Sequence, residues 1–175
     1  MELKIKRLSD KAIMPIRAHE GDAGLDLTTT SITSEINECG QFILVYHSDI
    51  AVEIPDGYVG LLFPRSSIAK KSIQFTNAVG VIDSGYRGEI MAKVRNTSGD
   101  SVPAVYKVGE KFAQLVIVPY VSDITITETT ELQDSDRGAG GYGSSDVKED
   151  ISAVNDTDKS VQEPAVEDNT SEAVA

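Results

Sequence analysis

The sequence predicts an all-β fold, a sandwich or barrel of short strands, and three observations carry the prediction. Apolar runs of strand length recur from one end of the chain to the other. Tight-turn signals separate them. Val, Ile and Thr dominate these runs, while helical periodicity is scarce. The 175 residues are enough for one sizeable domain, and a hydrophobic content of 40% suffices for a core, although aromatics make up only 6% and Trp is absent.

In chain order, MELKIKRLSD at the N-terminus reads as a short alternating strand. The next runs are FILVY (42–46), IAVEI (50–54), YVGLLF (58–63) and NAVGVI (77–82). EIMAKV (89–94), KFAQLVIV (111–118) and ITITE (124–128) complete the set. Pro55-Asp56-Gly57, Thr97-Ser98-Gly99-Asp100 and Gly109-Glu110 supply turns between them. SSIAKK (66–71), following Pro64-Arg65, is the one helix candidate, a turn or two long. No repeat of fixed period argues for a solenoid or propeller.

Charge and composition exclude several function classes. The net charge of −12 argues against a general nucleic-acid or acidic-membrane binder, though local geometry can still hold a small anion. No apolar run approaches the ~18 residues of a membrane span and nothing resembles a signal peptide, so a soluble intracellular protein is expected. Cys39 is the single cysteine, which rules out an intrachain disulfide and CxxC metal pairs, and it reads as an ordinary thiol. Residues 146–175 hold nine acids against two lysines, −7 of the total, with no aromatic residue. They read as a disordered acidic extension that serves solubility or docks an unidentified partner.

Five polar clusters interrupt the strands. In DAGLDL (22–27), Gly24 permits a tight backbone, and Asp26 between two leucines reads most simply as a turn cap. In PRSSIAKK (64–71), Arg65, Ser66 and Ser67 open the short helix, either as an anion site built on free N–H groups or as a plain N-cap. In NAVGVIDSGYRGEIMAKVRN (77–96), Asp83 begins a turn between two strands, where it serves the turn's own backbone or faces a wet cleft. An unpartnered carboxylate in a core would cost several kcal/mol. Gln114 breaks an otherwise buried run in GEKFAQLVIVP (109–119) and needs partners for its amide, from a strand edge or a ligand. RGAGGYGSS (137–145) places four glycines among Arg137, Tyr142, Ser144 and Ser145, as in a flap that closes on a phosphate or a linker to the acidic tail.

In this order, and across roughly residues 3–145, the five clusters resemble the five motifs of the trimeric dUTP pyrophosphatase (dUTPase) family, with GVIDSGYRGEI and RGAGGYGSS nearly complete. The resemblance implies a jelly-roll-like β barrel over residues 1–136, a Gly-rich phosphate-closing flap at 137–145 and the acidic tail at 146–175. It implies a homotrimer whose active sites are shared between subunits. The reaction would be hydrolysis of dUTP to dUMP and pyrophosphate by attack of water at the α-phosphorus, which keeps uracil out of DNA and supplies dUMP for thymidylate synthesis.

Carried over residue by residue, Asp83 is the catalytic base that orients and deprotonates the water. Tyr86 packs under the deoxyribose and excludes a 2′-hydroxyl. Asn77, with Gly80, Val81 and Ile82 of the nearby strand, recognises uracil, and Met91 and Lys93 belong to the same substrate site. Arg65, Ser66, Ser67 and Gln114 surround the phosphates, and Asp26 supports that network. Arg137, Gly141, Tyr142, Gly143 and Ser144 belong to the flap, Tyr142 standing where the family usually has Phe. Mg2+ is implied as an ion held through the substrate triphosphate, with no direct protein ligand. The rival within the same fold is dCTP deaminase, which shares an Arg-Ser-Ser motif; the Asp83 and Tyr86 pair favours phosphate hydrolysis. A rival of another class is a regulatory module that uses the acidic tail as its contact surface.

Overall fold

The computed structural model describes residues 2–98 and 104–141. Two compact units divide the chain, residues 1–126 and 127–175. The described residues of the first hold nine strands: β1 (Lys4–Arg7), β2 (Gly24–Thr28), β3 (Ser31–Ile36), β4 (Phe42–Glu53), β5 (Tyr58–Pro64), β6 (Ile73–Phe75), β7 (Gly80–Ile82), β8 (Glu89–Asn96) and β9 (Lys111–Pro119). A 3-10 helix, Ser66–Lys70, follows β5. In the second unit the described residues contain turns but no strand, including one in which Gly138 N–H donates to Ser135 O at 2.9 Å.

The strands form two antiparallel sheets in a jelly-roll-like arrangement. One has the order β1-β4-β8-β6 with β3 also on β4; the other runs β2-β9-β5-β7. Both β1 and β3 pair with β4, β3 along residues 42–47 and β1 along 50–53. Tyr46, Phe112, Leu27, Ile43, Ile50, Ile90 and Leu115 are fully buried. Tyr46 stacks on Phe112 at 5.5 Å between ring centroids and meets the Tyr106 ring edge-on at 6.0 Å. Its hydroxyl accepts the Tyr106 N–H at 3.1 Å and donates to the Tyr106 carbonyl at 3.4 Å, which satisfies a buried polar atom at the centre of the core.

Several expectations are corrected. FILVY and IAVEI are not two strands but one, β4, continued through a bulge at Asp49, which takes a φ of 52°. Between His47↔Met91 and Ala51↔Glu89, four residues of β4 advance against two of β8. The bulge is stable because its polar groups are paired: Ser48 Oγ donates to Ile90 O at 2.6 Å, and Asp49 N–H donates to Glu89 Oε1 at 2.8 Å. ITITE forms no strand: residues 124–128 are exposed and find no β partner among the described residues. Asp26 caps no turn, since DAGLDL runs into β2 and Asp26 lies inside that strand, paired with Gln114. The helix after Arg65 is a 3-10 turn whose N-cap makes no side-chain hydrogen bond, so the serines are not N-caps in the structure.

Candidate active site

The second sheet sets out the candidate residues, and it separates them into two groups. Asp26 on β2 sits opposite Gln114 on β9, and Gln114 sits opposite Phe63 near the end of β5. Pro64 then ends β5 and Arg65 turns into the 3-10 helix, so Arg65 and Ser66 arrive beside Asp26. The Asp26 carboxylate, 7% exposed, accepts from Arg65 Nε through Oδ1 and from Lys111 Nζ through Oδ2, both at 2.8 Å. One buried anion thus fixes two cations, each left about a third exposed. Lys111 was not among the residues singled out from sequence, because no pattern marks it apart from an ordinary strand-start lysine.

Gln114 donates through Nε2 to Pro64 O at 3.4 Å. Its position depends on Gly24, where an added Cβ would stand 2.8 Å from Gln114 Oε1 and 3.2 Å from its Cβ. Gly24, Asp26, Arg65, Ser66 and Gln114 line one cleft of about 360 Å³. Ser67 turns away from it and its hydroxyl pairs with Tyr106 Oη at 2.9 Å. The arrangement presents one fixed cation, Arg65, with a hydroxyl and an amide at a concave surface, a donor set suited to phosphate oxygens, while Lys111 holds Asp26 from outside the cleft lining. Among the described residues no group of three or more His, Cys, Asp or Glu could hold a metal ion, and both oxygens of Asp26 already have cationic partners.

The second group lies on the edge strand β7 and the turn after it. Asn77 is exposed in the turn leading to β7, where Ala78 has a φ of 57°. The Asn77 amide reaches over Gly80: a Cβ there would come within 3.6 Å of its Nδ2. Gly80 and Ile82 pair with Leu62 and Gly60 of β5, and Val81 is 63% exposed. Asp83 follows directly, exposed, and its carbonyl accepts the Tyr86 N–H at 3.0 Å to close the turn. No side chain among the described residues pairs with the Asp83 carboxylate. Tyr86 is 40% exposed and donates its hydroxyl to Glu89 O at 3.0 Å. Met91 and Lys93 belong to the other sheet, on the exposed face of β8, where Lys93 Nζ pairs with Glu35 at 2.6 Å.

One chain does not bring these groups together. Ile82 is opposite Gly60, so the antiparallel register carries Asp83 towards the start of β5, whereas Arg65 follows its end. At roughly 3.3 Å per residue the strand holds the two on the order of 20 Å apart. Of the flap residues, Arg137 donates through Nε to Gly140 O at 3.2 Å and Gly141 is exposed; Tyr142, Gly143 and Ser144 lie outside the described residues.

Comparison with known proteins identifies the family. The dUTPase family model matches residues 10–146. The deoxyuridine 5'-triphosphate nucleotidohydrolase of Clostridium acetobutylicum is 41% identical over 151 residues, covering 85% of this chain and 99% of its own. That of Alkaliphilus metalliredigens is 42% identical over 149 residues, or 83% and 98% of the two chains. Among solved structures, a mutant dUTPase of Staphylococcus bacteriophage 80alpha with dUpNHpp superposes with a TM-score of 0.68 at 32% identity, covering 83% of this chain and 99% of that one. A mutant dUTPase of phage phi11 of S. aureus, described for its coordination of a structural Mg(II) ion, gives a TM-score of 0.62 at 30% identity over 77% and 100%. With the family model spanning most of the chain and relatives aligned over nearly their full length, this chain belongs to the dUTPase family.

Proposed function

We propose that the protein hydrolyses dUTP, taken as its magnesium complex, to dUMP and pyrophosphate. The observation that carries this reading is Asp83: a carboxylate at the end of β7, exposed, without a side-chain partner among the described residues, and three residues ahead of an aromatic ring. An acid so placed is free to orient water and take its proton, which a turn-capping or ion-paired Asp is not. Asn77 and the edge of β7 from Gly80 to Ile82 offer the amide and backbone groups that read uracil, Tyr86 offers a face to the sugar, and Met91 and Lys93 lie on the substrate side. Arg65, Ser66 and Gln114 bind the triphosphate, with Asp26 holding Arg65 in place. Negative charge develops on the phosphate oxygens as water attacks the α-phosphorus, and a fixed cation stabilises it without reorganising.

A nucleophile and its phosphorus must stand about 3–3.5 Å apart, which the separation along β5 denies to a single chain. The reading therefore includes a homotrimer in which Asp83 of one subunit serves the phosphate cleft of another. Residues 137–145 act as the flap, with Arg137, Gly141, Tyr142, Gly143 and Ser144 closing over the triphosphate, and residues 146–175 form an acidic extension. Among the described residues no helix is long and apolar enough to cross a membrane.

Pyrophosphate release with magnesium from dUTP, UTP, dTTP and dCTP, beside Asp83→Asn, tests the proposal. Turnover of dUTP well above the other three, falling at least about 100-fold in the variant, is expected of a general base. Absence of dUTP turnover from a folded trimer, or an Asp83→Asn protein as fast as the parent, would remove it.

A further inference from the structure

We propose that Gly88 and Glu89 are positioning residues that set how strictly the site rejects a ribose, by fixing the ring of Tyr86. This rests on the dUTP reading above and adds to it the two residues that hold the sugar-facing ring. The Tyr86 side chain folds back over residue 88: a Cβ on Gly88 would stand 2.6 Å from Tyr86 Cζ and 3.0 Å from Cε2, and would collide with the hydroxyl. Gly88 is not among the glycines with positive φ, so its backbone is one that any residue adopts. The ring, not the chain path, is what a side chain at this position would displace.

The second hold is on the hydroxyl, which donates to the carbonyl of Glu89 at 3.0 Å. That carbonyl belongs to an anchored residue. Glu89 opens β8, its Oε1 accepts the Asp49 N–H of the β4 bulge at 2.8 Å, and its Oε2 pairs with His47 Nδ1 at 3.0 Å. His47 is in turn bonded through Nε2 to Thr33 on β3 at 2.9 Å. A ring as exposed as Tyr86 has little packing of its own to hold it, so the seat on Gly88 and the tether to Glu89 define where it stands. Rejection of one hydroxyl by contact depends on that position, and a misplacement of about 1 Å costs on the order of 100-fold in a reaction that depends on alignment.

The experiment compares kcat/KM for dUTP and for UTP in the full chain and in Gly88→Ala, Gly85→Ala and Tyr86→Phe, with thermal midpoints. Affinities for the imido analogues of both nucleotides, by calorimetry, give a readout without turnover. Gly85 lies in the same turn, has no atom within 4 Å of an added Cβ, and serves as the control. The dUTP:UTP ratio is expected to fall about tenfold or more in Gly88→Ala, chiefly through loss on dUTP and a lower KM for UTP, to fall less in Tyr86→Phe, and to hold in Gly85→Ala. A folded Gly88→Ala that keeps the parent's ratio within about twofold, or a Gly85→Ala that loses as much, overturns the inference while the dUTP reading stands. Should Gly88→Ala fail to fold, Tyr86→Phe decides: an unchanged ratio overturns the tether to Glu89, and a reduced one supports it. A parent protein that does not distinguish dUTP from UTP overturns both readings.

Discussion

Asp26 shows most directly what a single side chain does here. Its two oxygens divide between Arg65 and Lys111, so the acid is buried while its partners still reach solvent. Removing one member of a buried ion pair leaves charge uncompensated and costs about 3–5 kcal/mol, and partial exposure of both cations lowers that here. Asp26→Asn is therefore expected to lose about 2–3 kcal/mol in urea unfolding and to raise KM for dUTP more than it lowers kcat, since the Arg65 it holds would bind phosphate in ground and transition states alike. An unchanged KM would mean that Arg65 needs no fixing. The sequence alone reads this acid as a turn cap because Gly24, two residues before it, permits a tight backbone. Leu27, with no exposure at all, and the pairing of Asp26 with Gln114 are tertiary facts that the local spacing does not carry. For Asp83 the sequence leaves two uses open, the turn's own backbone or a wet cleft; in the structure its carbonyl closes the turn, and its carboxylate is exposed with no side-chain partner among the described residues.

At the scale of elements, legibility followed burial. β4, β5, β8 and β9 put alternating or continuous apolar residues against the core, and their runs are visible in the sequence. β3 was not visible: SITSEI is exposed at every position but Ile32, so no period of two marks it, and it is a strand because β4 offers it a ladder. Residues 124–128 are the converse, with the right alternation but no partner among the described residues, leaving Ile124 and Ile126 67% and 94% exposed. The turn before β9 was legible as Gly109-Glu110, but not what closes it. Glu110 accepts the Lys107 N–H at 2.7 Å through Oε2, its own N–H donates to Lys107 O at 2.9 Å, and its carbonyl accepts the Thr29 N–H at 3.0 Å. The Lys107 N–H, and then Lys71, hold the Glu110 carboxyl below the ordinary glutamate range. A folded-state pKa below the unfolded one means that the unfolded chain binds more protons. The carboxylate thus stabilises the fold above the unfolded value of about 4.3 and the contribution disappears as pH falls through the folded pKa. Urea midpoints measured from pH 7 down to the acid range are expected to fall less steeply for Glu110→Gln than for the parent; parallel curves would show that the turn does not depend on this charge.

The whole molecule raises a question that no single residue answers, which is how Asp83 and Arg65 can serve one reaction. β5 is a rigid spacer on the order of 20 Å long between them, hydrogen-bonded on both edges, to β7 and to β9. Closing that distance within one chain would require breaking the sheet, so the proposed reaction calls for two copies that meet with the turn after β7 of one against the cleft beside Arg65 of the next. Rotational symmetry then repeats the contact around a closed ring. This arrangement makes a prediction that a self-contained site does not. Asp83→Asn and Arg65→Ala should each be inactive as pure trimers. Co-expressed in equal amounts, they should recover activity, because some contacts join the intact Asp83 of one variant to the intact Arg65 of the other. With random mixing about a quarter of the sites are fully intact, and turnover should approach that share of the parent's. Size-exclusion chromatography of the mixture must first show a trimer. If mixed trimers form and remain as inactive as either parent variant, then Asp83 and Arg65 act from the same chain and β5 does not separate them in the working enzyme. Recovery near the expected share would establish that catalysis belongs to the contact between subunits.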